Sequence, residues 1–428
     1  MARGVVELDL MFEKSHLMGE VSAPASKSYV QRIVACAALA KGDTVMRGYT
    51  ECDDSQKALK AVESMGATVF ERNGAMVLRV EALSDDPHVL DFGGSATSMR
   101  IFTGVSCVTP GLKKLTGSAQ LLRRPMSYLV DSLRELGAKI EYLGNNSPPL
   151  LVHPTGLRGG STVLDASVSS QFTSSIMICS VKAREGVRIS HVGPLASTGY
   201  IRMTARVLEM FGSTPKLSAD LREIHIEPCE LRPVEVDVEG DYSSAAYILA
   251  AGAINGEVLV RNLNPYSLQP DKIFLEHLKH MGAKVEPSDK GFRVSSSMLD
   301  ASEFDLQESP DLAPILGVLA AYSNGTSVLK GLERLKYKES DRVSTTLEML
   351  RSLGVDATYL EGQIRIKGGC VAGGTVDSHG DHRIALAAAV AATGSQGPVR
   401  VTGFECFRKS YPQFLEHYTN LGGRVQQS

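Results

Sequence analysis

Residues 63–69 read ESMGATV, and the same punctuation returns as RELGAKI at 134–140, KHMGAKV at 279–285 and RSLGVDAT at 351–358. In each, a helix-like stretch ends on an apolar residue followed by glycine. The full set of stops is Gly66, Gly137, Gly212, Gly282, Gly354 and Gly422, at intervals of 71, 75, 70, 72 and 68 residues. Self-similarity at a fixed period implies one supersecondary unit, written here six times over nearly the whole chain. A glycine-opened strand recurs with the same period: GDTVMRG from Gly42, GLKKLTG from Gly111, GVRISHVG from Gly186, GEVLVRN from Gly256, GTSVLKG from Gly325 and GPVRVTG from Gly397.

Within a unit the glycine-opened strand leads to a polar loop, a helix, the glycine stop and a hairpin. Val343, Leu347, Leu350 and Leu353 fall on one face of such a helix. Glycine just past its end supplies the left-handed conformation that closes it. Asn73-Gly74 and Glu361-Gly362 mark hairpin turns. A second helix then opens on a short Gly/Ser/Asp cluster, and several of these helices are alanine-rich (SSAAYILAAGAI, RIALAAAVAA). Unit six ends after one strand, GGRVQQS, while VVELDL at 5–10 has no unit of its own. The N-terminal strand is therefore expected to close the last unit. That gives an α/β protein of two lobes with three βαβαββ-type units each. One lobe is 23–238; the other is 1–22 with 239–428, with a hinge of two crossings near Ala23 and Val238.

Hydrophobic content of 43% and charged content of 22% are those of a globular protein. A net charge of −3 argues against a nucleic-acid partner. The seven cysteines are scattered without a CxxC pair, which reads as free thiols in a reducing compartment. The start, MARGVVELDLMFEKSH, lacks the apolar run of a signal peptide, and no stretch approaches the ~18 apolar residues of a membrane span. The expectation is a cytoplasmic monomer with no membrane or nucleic-acid partner.

The copies diverge at their helix starts, where free N–H groups and the helix dipole favour anions. These starts and the loops before them hold Lys27, Ser28, Arg32, Thr97, Arg100, Arg124, Ser169, Ser170, Gln171, Ser197, Tyr200, Asp311, Lys336, Lys338, Glu339, Arg342, Asp381, His382, Arg383 and Lys409. A single Ser or Asp there is adequately explained as a cap, Asp341 among them. KYKESDR is not, because Lys and Arg at a helix N-terminus oppose the dipole unless an anion lies between them. The pattern calls for a cleft for small phosphates and carboxylates. His379 and His382 lack a third ligand cluster, so no metal is expected; His277 and His280 read as surface residues.

Ten stretches together resemble the 5-enolpyruvylshikimate-3-phosphate synthase family: ASKSYVQR, SATSMR, RRPM, SSQF, STGY, GDYSSAA, PDLAP, KESDR, HGDHRIA and KSYPQF. The resemblance implies an inside-out α/β barrel in each lobe, an active site in the cleft between lobes, and no metal or organic cofactor. It implies transfer of the enolpyruvyl group of phosphoenolpyruvate to the 5-hydroxyl of shikimate 3-phosphate. It assigns Lys27, Ala96, Arg124, Gln171, Arg342, Arg383 and Lys409 to phosphoenolpyruvate. To shikimate 3-phosphate it assigns Ser28, Arg32, Ser169, Ser170, Gln171, Ser197, Asp311 and Lys338, with Tyr200, Arg100, Arg334, Lys336 and His382 as further candidates. Asp311 is expected to act as base and Glu339 as proton donor, with Lys27 completing the catalytic set.

Departures from the family pattern are Ala96 where glycine is usual, Arg334 where some members have Asn, and Lys336 where Arg is usual. A UDP-N-acetylglucosamine enolpyruvyl transferase is the nearest alternative. Its reactive cysteine is absent from GSAQLLRRP, where Ala119 stands at the aligned position. A non-catalytic six-unit clamp is a second alternative, which the net charge disfavours.

Overall fold

The computed structural model describes residues 8–427. The chain forms two compact units, Ala25–Glu239 and a discontinuous one of Met1–Pro24 with Gly240–Ser428. Each repeat builds one four-stranded sheet. In the second repeat, strands His88–Asp91 and Lys113–Thr116 are parallel and joined through helix Ala96–Val108. Helix Ser127–Glu135 follows, then the antiparallel pair Lys139–Tyr142 and Leu150–His153, the latter lying against Lys113–Thr116. The same strand order recurs in all six four-stranded sheets.

Three of those sheets borrow a strand from a distant part of the chain. Leu10–Glu13 runs antiparallel to both Val399–Thr402 and Arg424–Gln427, completing the sixth sheet. This strand lies later than the expected 5–10, of which residues 5–7 fall outside the described residues. Leu10 and Phe12 point into the core while Met11 and Glu13 lie outward, and that alternation sets the register. Leu17–Ser22 supplies the parallel strand beside Gly256–Arg261, and Glu235–Asp237 does the same beside Gly42–Arg47.

Two kinds of helix follow from two kinds of composition. The helix after each glycine-opened strand is amphipathic, and in Arg342–Ser352 the residues Val343, Leu347 and Leu350 are buried. The other kind is buried almost all round. In the discontinuous unit Tyr242–Asn255, Ala313–Ala321 and His382–Ala391 pack on one another, as an apolar, alanine-rich surface requires. In Ala25–Glu239, Ala96–Val108 packs on both Lys27–Ala37 and Ser170–Ser180. Gly104 permits the second approach, since a Cβ there would lie 2.7 Å from the Ser175 carbonyl oxygen. Buried helices inside and separate four-stranded sheets outside give each unit an inside-out α/β arrangement.

The helix stops are held by backbone geometry. All six stop glycines have φ between 79° and 104°, where a Cβ is strained. Asn73-Gly74 and Glu361-Gly362 have positive φ at both residues, the conformation that a two-residue hairpin turn demands. Among the described residues no helix is long and apolar enough to cross a membrane.

Candidate active site

In the discontinuous unit the helix starts gather four cations and three carboxylates. Asp341 caps helix Arg342–Ser352, accepting from the Val343 and Ser344 amides at 3.2 and 3.4 Å. Capping therefore accounts for Asp341, and its neighbour Arg342 is left to turn inward. The Arg342 side chain is 1% exposed; its Nε donates to Asp381 Oδ2 at 2.8 Å, Nη1 to Asp311 Oδ1 at 2.6 Å and Nη2 to Glu339 Oε2 at 2.6 Å. Asp381 is itself the cap of His382–Ala391, so this fully buried pair ties two helix starts together. Asp311 also holds Lys338 at 3.0 Å and Arg383 at 3.1 Å, and Glu339 holds Lys409 at 2.8 Å.

Charges this buried persist only in mutual compensation. Burial pushes the Asp311 carboxyl up, but Arg383, Lys338 and Arg342 outweigh it and hold it well below the usual carboxylate range. Asp311 is thus ionised. Burial drives Lys338 the other way, down to about 8, against the pull of Asp311. Arg342, despite its burial, is held above its ordinary value by Asp381, Glu339 and Asp311.

In Ala25–Glu239 the polar side chains again sit at inner helix starts. Lys27 opens its helix and pairs with Asp54 at 3.0 Å. Arg32, one turn on, is 1% exposed. It donates to Thr204 Oγ1 at 2.8 Å, the Ser28 carbonyl at 2.8 Å, Ser174 Oγ at 3.1 Å and the Tyr200 carbonyl at 3.4 Å. All four partners are neutral, so a buried cation stands here without a carboxylate among the described residues. It also lies over the Tyr200 ring, 5.5 Å from the centroid, and burial lowers its pKa to about 10.

Arg100 donates to Gln171 Oε1 at 2.8 Å, Ser169 Oγ at 3.3 Å and the Pro125 carbonyl at 3.1 Å. Gln171 continues to Thr97 Oγ1 at 2.7 Å, and Ser169 caps the helix that Ser170 begins. Ala96 opens its helix and is buried. Ser197, in a left-handed conformation with φ 54°, sets the start of Thr198–Met210, and Arg124 is half-buried beside Pro125.

The structure therefore gathers Asp311, Lys338, Glu339, Arg342, Arg383 and Lys409 in one network. In the other unit it groups Arg32 with Tyr200 and the Ser28 backbone, and Arg100 with Ser169 and Gln171. Lys336 is exposed, while Arg334 is half-buried and donates to the Gln307 carbonyl at 3.2 Å. His382 is 1% exposed, its Nδ1 3.8 Å from Asp381. His277, read as a surface residue, instead packs edge-on against Phe304 at 5.1 Å and is held near pKa 4 by burial; its helix face turns toward the core. Asp54, Thr204, Ser174, Ser243 and Asp271 escaped the sequence reading. Capping explains Asp381 at the start of its helix but not its hold on Arg342.

The sequence pattern of EPSP synthase (3-phosphoshikimate 1-carboxyvinyltransferase) matches residues 12–418. A 3-phosphoshikimate 1-carboxyvinyltransferase of Aeropyrum pernix is 42% identical over 415 residues, 96% of this chain and 95% of its own. One from Methanothermobacter thermautotrophicus is 38% identical over 98% of this chain and 100% of its own. The solved EPSP synthase of Acinetobacter baumannii superposes with a TM-score of 0.82 at 27% identity, covering 99% of this chain and all of the other. By sequence over nearly its whole length and by fold, the chain belongs to the EPSP synthase family.

Proposed function

We propose that this chain transfers the enolpyruvyl group of phosphoenolpyruvate to the 5-hydroxyl of shikimate 3-phosphate, releasing phosphate, in the shikimate pathway to aromatic amino acids. The observation that carries the assignment of roles is the network around Arg342, where four cations share three carboxylates and two of those carboxylates, Asp311 and Glu339, are at the margin of solvent. Substrate phosphate and carboxylate groups are the ligands such a cluster lacks. In this unit Arg342, Arg383 and Lys409 bind phosphoenolpyruvate, and Asp311 and Lys338 bind shikimate 3-phosphate. In Ala25–Glu239, Ser28, Arg32, Ser169, Ser170 and Ser197 bind shikimate 3-phosphate, Gln171 touches both substrates, and Lys27, Ala96 and Arg124 serve phosphoenolpyruvate. The buried, carboxylate-free Arg32 supports the presence of an anion there.

Asp311, ionised, accepts the proton of the 5-hydroxyl as its oxygen attacks C2 of phosphoenolpyruvate. Glu339, beside Arg342 and Lys409, enters the addition step protonated, delivers that proton to the methylene carbon, and takes a proton back from the methyl group as phosphate leaves. The surrounding cations stabilise the tetrahedral intermediate, and loss of phosphate with a methyl proton regenerates the enol ether. Phosphate release from phosphoenolpyruvate tests the assignment. Release that depends on shikimate 3-phosphate is expected; release with UDP-N-acetylglucosamine instead, or with neither, overturns it.

Ala96 adds a methyl group where the family carries glycine. Glyphosate is longer than phosphoenolpyruvate and needs that space. Ala96→Gly is therefore expected to lower the glyphosate inhibition constant by about tenfold, the scale on which pockets discriminate one methylene. An unchanged constant in the variant sinks this account of the position.

A further inference from the structure

Behind the Arg342 network lies an acid that the reaction scheme above does not use. Asp271 sits in the turn Pro270–Ile273 and is 2% exposed. Its Oδ2 accepts a hydrogen bond from the Ser243 hydroxyl. Ser243 in turn accepts from Arg383 Nη2 at 3.3 Å, and the same Nη2 reaches Asp311 Oδ2 at 3.1 Å. The other Asp271 oxygen, Oδ1, is buried without a hydrogen bond among the described residues. An Arg383 N–H thus donates to a hydroxyl that donates to a carboxylate, a chain with one polarity ending on a poorly solvated acid.

We propose that Asp271 is a positioning residue that aims Arg383 through Ser243 and opposes the incoming anion of phosphoenolpyruvate until it takes up a proton. The inference rests on the assignment of Arg383 to phosphoenolpyruvate. Asp271 feels Asp311 and Arg383 from the neighbouring helix starts and Asp241 from the cap of Tyr242–Asn255; Tyr247 of that helix faces Arg383. Burial, reinforced by the charge of Asp311, raises Asp271 to about 6 despite Arg383. An anion bound at Arg383 raises it further by repulsion, so binding and proton uptake are linked. The sign follows: below pH 6 the free enzyme already carries the proton and binding meets no opposition. Above pH 6 the ionised Asp271 must be neutralised or tolerated, and affinity falls.

Asp271→Asn keeps the acceptor for Ser243 and removes the charge. The KM for phosphoenolpyruvate, at saturating shikimate 3-phosphate, is compared between wild type and this variant from pH 5.5 to 8.5. The ionisation of the substrate phosphate near pH 6 is common to both and cancels in the ratio. The wild-type to variant ratio of KM is expected near 1 at the acid end and to rise to about five- to tenfold at pH 8, the size of effect a buried like charge behind Arg383 would have. A ratio independent of pH overturns the proposal.

Ser243→Ala breaks the link while leaving Asp271 in place, and is expected to raise the KM for phosphoenolpyruvate about tenfold with a smaller change in kcat. Combining it with Asp271→Ala, compared at pH 5.5 where wild-type Asp271 carries its proton, is expected to cost no more than the larger single loss, because both cut one chain. Additive losses, accompanied by lowered thermal midpoints, mark a merely structural role and overturn it equally. Wild-type protein that releases no phosphate with shikimate 3-phosphate indicts the functional assignment instead, so the two failures are separable.

Discussion

Asp311→Ala is expected to leave the fold intact and to lower turnover by about a thousandfold, within the range that a positioned general base supplies. One carboxylate here serves Arg342 at 2.6 Å, Lys338 at 3.0 Å and Arg383 at 3.1 Å. Those cations keep it ionised, and an ionised acceptor is what removal of the 5-hydroxyl proton needs. Arg342 and Arg383 keep other partners in the variant, Asp381 and Ser243 respectively, so collapse of the unit is not expected. Asp311→Asn, which preserves shape and removes charge, should lose nearly as much. Steady-state kcat with both substrates saturating decides the matter, alongside circular dichroism to confirm folding. Retention of more than a few per cent of wild-type turnover by the alanine variant removes Asp311 from the base role.

Arg342→Met tests stability. Methionine fills much of the same volume but carries no donor. Asp311 retains Lys338 and Arg383, and Glu339 retains Lys409. Asp381 fares worse: its side chain is 0% exposed. It keeps the Ser340 hydroxyl at 3.0 Å and the Arg383 amide at 3.0 Å, and its charge loses the guanidinium. Removing one partner of a buried pair costs about 3–5 kcal/mol, because the other charge stays uncompensated. Urea unfolding should show a loss of that size. Adding Asp381→Asn should then recover a substantial part of it, since the two residues are coupled. A loss of under about 1 kcal/mol, within the span of ordinary surface substitutions and their scatter, contradicts a buried ion pair as the tie between these helix starts.

What could be read along the chain was what is decided within a few residues. A glycine at φ near 100° stops a helix wherever it occurs, so six stops gave six units. Alternation, amphipathic spacing and the Asn73-Gly74 turn are equally local. The cationic helix starts were legible because Lys and Arg are anomalous there on electrostatic grounds. Resemblance of ten motifs then assigned substrates to them. That the last unit needs the N-terminal strand as a partner is legible, but the limits of that strand are not, since pairing with Val399–Thr402 and Arg424–Gln427, and not composition, fixes them.

The partnerships of the charged side chains were not legible. Arg342 meets Asp381 across 39 residues, Lys27 meets Asp54 across 27, and Ser243 meets Arg383 across 140. Nothing in the local pattern of GDHR or ECDDSQK distinguishes an acid that caps a helix from one that also neutralises a buried guanidinium. Periodicity and backbone conformation are properties of neighbours in sequence, and the chain alone determined the six-unit architecture and the residue types at its helix starts. Compensation of charge is a property of neighbours in space. Only the tertiary structure decided which acid meets which base, because a buried charge is stable only beside the partner that the fold brings to it.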